Sequence, residues 1–427
     1  VIDLRKREFL ASLFEAAVLR ADPKRALMDA LPQKPKGRTV VVGAGKGAAQ
    51  LAAAFEELWD GPLTGTVVTR YGYAAPCRTI KVIEASHPVP DSAGLAASEA
   101  LFDTVSGLTA DDLVVALICG GGSALLPAPP EGLSLADEQE LNQVLLASGA
   151  PIGVMNAIRK HSSRIKGGRL AAAAWPAKVV SLVVSDVPGD EACQVASGPT
   201  IPDALTLSEV QAMISARAIA LPEKIRAHLA SGKDLPPRPD DAVFANNEVH
   251  IIASAGLSLE AAAELAKRAG VDAVILSDAV EGEARDVGLV HAAIAREVAS
   301  RDRPFVKPVV ILSGGETTVT LRGKGRGGRN TEFLLSLASA IEGVEGITVL
   351  AADTDGIDGS EDNAGAFADG TSTGRLRAQG LDPLASLAAN DAWGAFDAIG
   401  DLFVTGPTGT NVNDFRAILV GALPGQA

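Results

Sequence analysis

Residues 38–49, RTVVVGAGKGAA, decide the fold. Arg38 to Val42 is a short β-branched run suited to a pleated, half-buried backbone. It stops at Gly43-Ala-Gly45-Lys46-Gly-Ala48 and opens into an Ala-rich stretch, a good helix former. Strand, glycine turn and helix in that order begin a βα unit, and the amides at such a helix start face an anion.

Outward from this unit the pattern repeats. Short strands are expected at 65–70 and 79–85, and 113–119 is an almost wholly apolar strand that ends at Gly120-Gly121-Gly122-Ser123. A further strand, 177–184, ends at Ser185-Asp186-Val-Pro-Gly-Asp190. Apolar strands without alternation belong to a parallel sheet covered on both faces. The Pro-rich, charged stretch 231–241 reads as a linker, after which strands and helices resume with shorter, hairpin-like pieces. The expected fold class is therefore α/β in two lobes. Residues 1–235 form a Rossmann-like parallel sheet, and residues 236–427 form a second α/β lobe with a mixed sheet. Near the start, Leu10, Leu13, Phe14, Ala17 and Val18 make an apolar stripe at helical spacing.

The bulk numbers bound the function. A chain of 427 residues that is 47% apolar can bury two cores. Its 38 basic and 52 acidic residues give a formal charge of -14, which argues against nonspecific nucleic-acid binding. No apolar run reaches the roughly 18 residues of a membrane span. Three scattered cysteines, Cys77, Cys119 and Cys193, form neither a disulfide framework nor a thiolate metal site. No secretory signal is visible, and the expectation is a cytoplasmic protein.

Five strand ends built from glycine and polar residues gather where ligands bind in open α/β sheets. In the first, Gly43 and Gly45 bare the backbone and Lys46 adds a point charge. The same residues satisfy G-x-G-x-x-A, the dinucleotide pattern, and the next strand ends at Arg70, where an NADP enzyme holds the 2′-phosphate. In the second, Gly121, Gly122 and Ser123 offer amides and a hydroxyl. A helix then carries Asn156, Arg159 and His161, followed by Lys166. Arg159 suits bidentate carboxylate recognition, Lys166 is expected as a second anion ligand, and a lone His161 is more often structural than catalytic. Asp186 and Asp190 fit either Mg²⁺ binding or activation of a hydroxyl, with turn capping as the plain alternative.

Beyond the linker, Gly314-Gly-Glu316 precedes Lys324-Gly-Arg326-Gly-Gly-Arg329-Asn330. That run holds three cations and three glycines in the six positions from Lys324 to Arg329, and is expected as a flexible loop closing over phosphates. Asp353-Thr-Asp355 ends another strand and fits Mg²⁺ beside phosphate better than calcium, whose loop spacing it fails. No His- or Cys-rich cluster supports zinc. Cations, bare amides and acidic strand ends together suit phosphoryl transfer.

The stretches VVGAGKGA, GGGSALL, NAIRKHSSRIKGGRLA, SDVPGD with ASGPT, LSGGETTVTLRGKGRGGRNTEF and DTDGIDG resemble the class II glycerate kinases, in order and over nearly the whole chain. That resemblance implies ATP- and divalent-metal-dependent phosphorylation of D-glycerate, usually to 2-phosphoglycerate; separately, a monomer or homodimer is expected. The resemblance also implies a C-terminal region called MOFRL, here about 305–420, and a site between the lobes. It matches the family's lysine to Lys46, its arginine to Arg329 and its carboxylates to Asp186 and Asp190. Members of the family are also labelled hydroxypyruvate reductases, some from tartrate utilisation, so NAD(P)H-dependent reduction is the second expectation. Thr331 departs from the Gln expected after Arg329-Asn330.

Overall fold

The computed structural model describes residues 2–425. It divides into two compact units, and the division is not the expected one: Pro23–Ile252 form one unit, while the residues up to Asp22 join those from Ala253 onward.

The Pro23–Ile252 unit is built on a six-stranded sheet. Its strands are β1 (Thr39–Ala44), β2 (Thr64–Arg70), β3 (Ile80–Ala85), β4 (Leu113–Cys119), β5 (Lys178–Val184) and β6 (Glu248–Ala253), in the order β3-β2-β1-β4-β5-β6. The pairings from β3 through β5 are parallel. β1 and β4 are buried along their full length, as their apolar sequences require. Helices start where caps place them. Asp91 accepts from the Gly94 amide ahead of Ser92–Thr104, and Ser134 with Asp137 forms a capping box ahead of Leu135–Ala147.

The stretch 231–241 is not an interdomain linker. Arg169 donates to the Asp234 carbonyl and Arg238 to the Ala204 carbonyl, which ties it to this unit before β6 completes the sheet.

The other unit carries β7 (Asp272–Glu283), β8 (Val309–Thr318), β9 (Ile347–Asp353), β10 (Gly365–Asp369), β11 (Leu402–Phe403) and β12 (Asp414–Val420), in the order β11-β10-β9-β12-β8-β7. Only β7 and β8 pair in parallel, so the sheet is mixed, as expected. One face is covered by helices Ala284–Arg301 and Arg329–Ala340. The other is covered by Ala255–Arg268 and by the first helix, Leu4–Arg20. Leu10, Leu13, Phe14 and Ala17 are buried there, and Phe14 meets Phe403 and Phe415 edge-on at 5.2 and 5.7 Å. That burial explains why the first helix belongs with the second sheet. Among the described residues no helix is long and apolar enough to cross a membrane.

Candidate active site

The strand order of the first sheet reverses direction between β1 and β4, the position where α/β sheets open a crevice for ligands. The first two glycine ends meet there. The Lys46 amide donates to the Gly120 carbonyl at 2.8 Å, and the Thr69 hydroxyl donates to the Lys46 carbonyl. Gly43 lies inside β1, where a Cβ would sit 2.6 Å from the Leu117 carbonyl; Gly45 takes φ +135 with Cys119 directly against it. These two glycines let β1 and its turn close onto β4.

At Gly120 an added Cβ would fall 1.8 Å from the Asp186 carboxylate. At Gly121, with φ +78, it would run into the Lys46 side chain and the His87 imidazole. Lys46, Asp186 and the glycine run are therefore brought together as expected. Asp190, with φ 54, forms the 3-10 turn Pro188–Asp190 beyond Asp186.

His87, just past β3, is a residue the sequence reading missed. Burial, then the charges of Lys46 and Arg70, hold its imidazole down to about 4, so it stands neutral at ordinary pH. The signal was available: the end of a third parallel strand is as much a ligand position as the ends of the first and fourth. Arg70 stacks on Tyr73 at 3.5 Å. Cys119 is no nucleophile, because burial pushes its thiol up to about 12.

A polar chain continues from Ser123. Its hydroxyl pairs with that of Ser197 at 2.8 Å, and Ser197 donates to the Asn156 side-chain oxygen, which also accepts from Arg159. Arg159 Nε is held by Asn142. Ser123, Asn156 and Arg159 thus form one connected group, linked by Ser197 of the ASGPT stretch. Lys166 does not join them. It is 1% exposed and its ammonium is spent on Glu138 and the Leu126 carbonyl, so a solvent-borne anion has no access to it. His161 is buried and bonds the Ala157 carbonyl, its structural alternative.

In the second unit Arg329 lies between three carboxylates. Nε donates to Asp414 at 2.6 Å, Nη2 to Asp353 at 2.6 Å and Nη1 to Glu316 at 3.0 Å. Burial works to lower its pKa, but Asp414, Asp353 and Glu316 outweigh that and raise it. Gly314 is not a strand end: β8 runs through it, with Phe415 of β12 opposite. Asn330 is fully buried and bonds Asp358 and Asp414, which makes it a support rather than a ligand contact. Thr331 bonds Asp358 and accepts from the Gly328 amide, capping the helix start.

The loop before Arg329 is pinned, not free. Asn390 accepts from the amides of Arg322 and Gly323, Asp391 from that of Arg326, and the Ala389 carbonyl from Gly325. Arg326 stacks on Trp393 at 3.9 Å, while Lys324 is exposed.

Of the four expected metal ligands, Asp186 and Asp190 lie in one unit and Asp353 and Asp355 in the other. Among the described residues no three His, Cys, Asp or Glu side chains converge to hold a metal ion. Asp353 is committed to Arg329 and to the Asp355 amide, and burial raises its pKa well above the carboxylate range. Asp355 caps its own turn through the Ile357 amide.

Residues 9–230 match a family model described as a domain of unknown function, DUF4147, and residues 309–414 match the MOFRL family. A D-glycerate 2-kinase of Thermotoga maritima is 41% identical over 394 residues, 92% of this chain and 93% of its own length. A putative hydroxypyruvate reductase of Agrobacterium vitis is 53% identical over 422 residues, 98% of this chain and 95% of that protein. A crystal structure of a glycerate kinase from Thermotoga maritima matches with a TM-score of 0.89 at 38% identity, covering 98% of this chain and 100% of that one.

Proposed function

This chain belongs to the MOFRL-bearing glycerate kinase family, and on that premise we propose that it transfers the terminal phosphoryl group of ATP to D-glycerate, giving 2-phosphoglycerate. One observation carries the reading: Lys46 and Asp186 flank a bare glycine backbone at the β1–β4 switch point. In the proposed reaction the C2 hydroxyl oxygen bonds to the γ-phosphorus, the bond to the bridging oxygen breaks, and ADP leaves.

The amides of Gly121 and Gly122 and the Ser123 hydroxyl face phosphate oxygens, with Gly45 opening the turn beside them. Lys46 offsets the charge that grows on the transferring group. Asp186 orients the hydroxyl and accepts its proton, with Asp190 on the same rigid turn. Arg159, steadied by Asn156 and Asn142, presents its remaining edge to the substrate carboxylate. Arg329 clamps phosphate, with Lys324 and Arg326 adding positive charge upstream.

A Mg²⁺ ion bound mostly through nucleotide phosphates needs only one or two protein carboxylates. We assign that role to the turn that carries Asp186 and Asp190, beside the glycine run; Asp353 is engaged by Arg329. When bound, the ion would neutralise phosphate charge. The three free cysteines fit a reducing compartment, and the cytoplasm is the location we propose, for a monomer or homodimer.

A second reading, NAD(P)H-dependent reduction of hydroxypyruvate, is favoured by one observation. The G-x-G-x-x-A turn sits in a sheet of Rossmann order with Arg70 at the end of β2. One experiment separates the two. Purified protein with D-glycerate, ATP and Mg²⁺ should yield 2-phosphoglycerate by phosphorus NMR. No phosphorylated acid, together with NAD(P)H oxidation on hydroxypyruvate, would sink the kinase reading.

A further inference from the structure

Residues two apart on a strand share a face, so Asp414 and Arg416 of β12 point to the same side of the second sheet. Both are buried almost completely, at 2% and 0% exposure. The Arg416 guanidinium donates to Asp414 Oδ2, to the Thr317 hydroxyl at 3.1 Å and to the Gly314 carbonyl at 3.4 Å, and it lies 5.1 Å from the Phe333 ring centroid. Asp414 Oδ2 also accepts from the Thr317 amide and hydroxyl, each at 3.3 Å. The other oxygen, Oδ1, takes Arg329 Nε at 2.6 Å and Asn330 Nδ2 at 2.9 Å. One carboxylate therefore joins a sealed guanidinium to one that is 23% exposed.

Desolvating an arginine and an aspartate costs more than a surface pair returns, and well-packed apolar side chains often do as well for stability. What apolar residues cannot do is fix the plane of a neighbouring guanidinium. With Nε held from behind, the exposed edge of Arg329 can turn only about the two remaining contacts, Asp353 and Glu316. Glu316 is the exposed partner of the three.

We infer that Asp414 and Arg416 are positioning residues: Arg416 orients Asp414, and Asp414 aims the Arg329 guanidinium at the phosphoryl group. This rests on the kinase reading above, in which Arg329 clamps phosphate. Lysine cannot replace Arg416 fully, because one ammonium does not reach the carboxylate, the hydroxyl and the carbonyl in the geometry of a planar fork.

The test is a double-mutant cycle on the full chain. Arg416→Met and Asp414→Asn are each made alone and combined with Arg329→Lys, with kcat, KM for both substrates and thermal unfolding measured throughout. In the Arg329 background each should lower kcat at least about 10-fold with KM changed less than about 3-fold, because aim is lost rather than ground-state binding. In the Arg329→Lys background each should cost less than about 2-fold more, since residues acting as a unit are not additive. Arg416→Lys should recover part of the loss.

Equal costs in both backgrounds, or losses that only follow the folded fraction, would overturn the inference. Should Arg416→Met fail to fold, Asp414→Asn preserves side-chain size and carries the same cycle. Wild-type protein that makes no 2-phosphoglycerate defeats the kinase reading; active wild type with additive costs defeats only this inference.

Discussion

His291 is buried between two hydrogen bonds that fix its tautomer: Nδ1 donates to the Val287 carbonyl at 2.9 Å, and Nε2 accepts from the Ser313 hydroxyl at 3.0 Å. Burial, with a smaller push from Arg416 against the pull of the Val287 bond, holds its pKa down to about 4. The folded state refuses a proton that the unfolded chain takes near the ordinary value of 6.5. Stability from this residue is thus full above pH 6.5 and is lost as pH falls toward 4, by roughly 3 kcal/mol across the window. Urea midpoints between pH 7 and 4.5 should fall less steeply for His291→Gln than for wild type; parallel slopes would show that the imidazole is not the group that charges. Lys46→Ala in the first unit and Arg329→Ala in the second should each lower turnover at least about 100-fold if they stabilise the transferring phosphate. Near-wild-type rates in folded variants would remove that role.

The loop from Arg322 to Gly328 shows what an element's surroundings do to its sequence. Its cations and glycines suggest phosphate-binding chemistry, and glycine content alone suggests mobility. Its partners, Asn390 and Asp391, lie 68 and 65 residues downstream of the amides they hold, and no local pattern announces them. Asn390 also donates to Glu332, so it joins the loop to the helix behind it. Asn390→Ala should therefore free the loop. Amide exchange at Arg322 and Gly323 should quicken at least about 10-fold, the loss of roughly one net hydrogen bond each, and unchanged protection would mean that the backbone contacts to Ala389 suffice. The same distance effect hid the fate of Lys166, whose partner Glu138 is 28 residues away. It also hid the continuity of β8 through Gly314, which depends on β12 lying alongside. The β1 and β4 ends were readable because each is local: strand, glycines and following helix are contiguous in the chain.

At the scale of the molecule, the alternation of strand and helix revealed two α/β sheets, and the mixed character of the second. It did not reveal which sheet the first helix covers, since an amphipathic stripe states that a face is buried and not against what. Burying Leu10, Leu13 and Phe14 contributes on the order of 6 kcal/mol, comparable to the whole stability of a domain. A fragment of residues 253–427 should accordingly be poorly folded alone and gain structure when a peptide spanning 2–22 is added, whereas residues 23–252 should fold unaided. Circular dichroism and exchange protection of the fragments read this directly, and a well-ordered 253–427 fragment would refute it. The same arrangement sets an order of events on the ribosome. Phe415, against which Phe14 packs, is made about 400 residues after it. At ordinary synthesis rates roughly 20–80 seconds separate them. At least until helix Ala255–Arg268 is made, the first helix's apolar stripe stays uncovered while the 23–252 unit folds, and a chaperone that shields exposed leucine and phenylalanine would find it on the nascent chain.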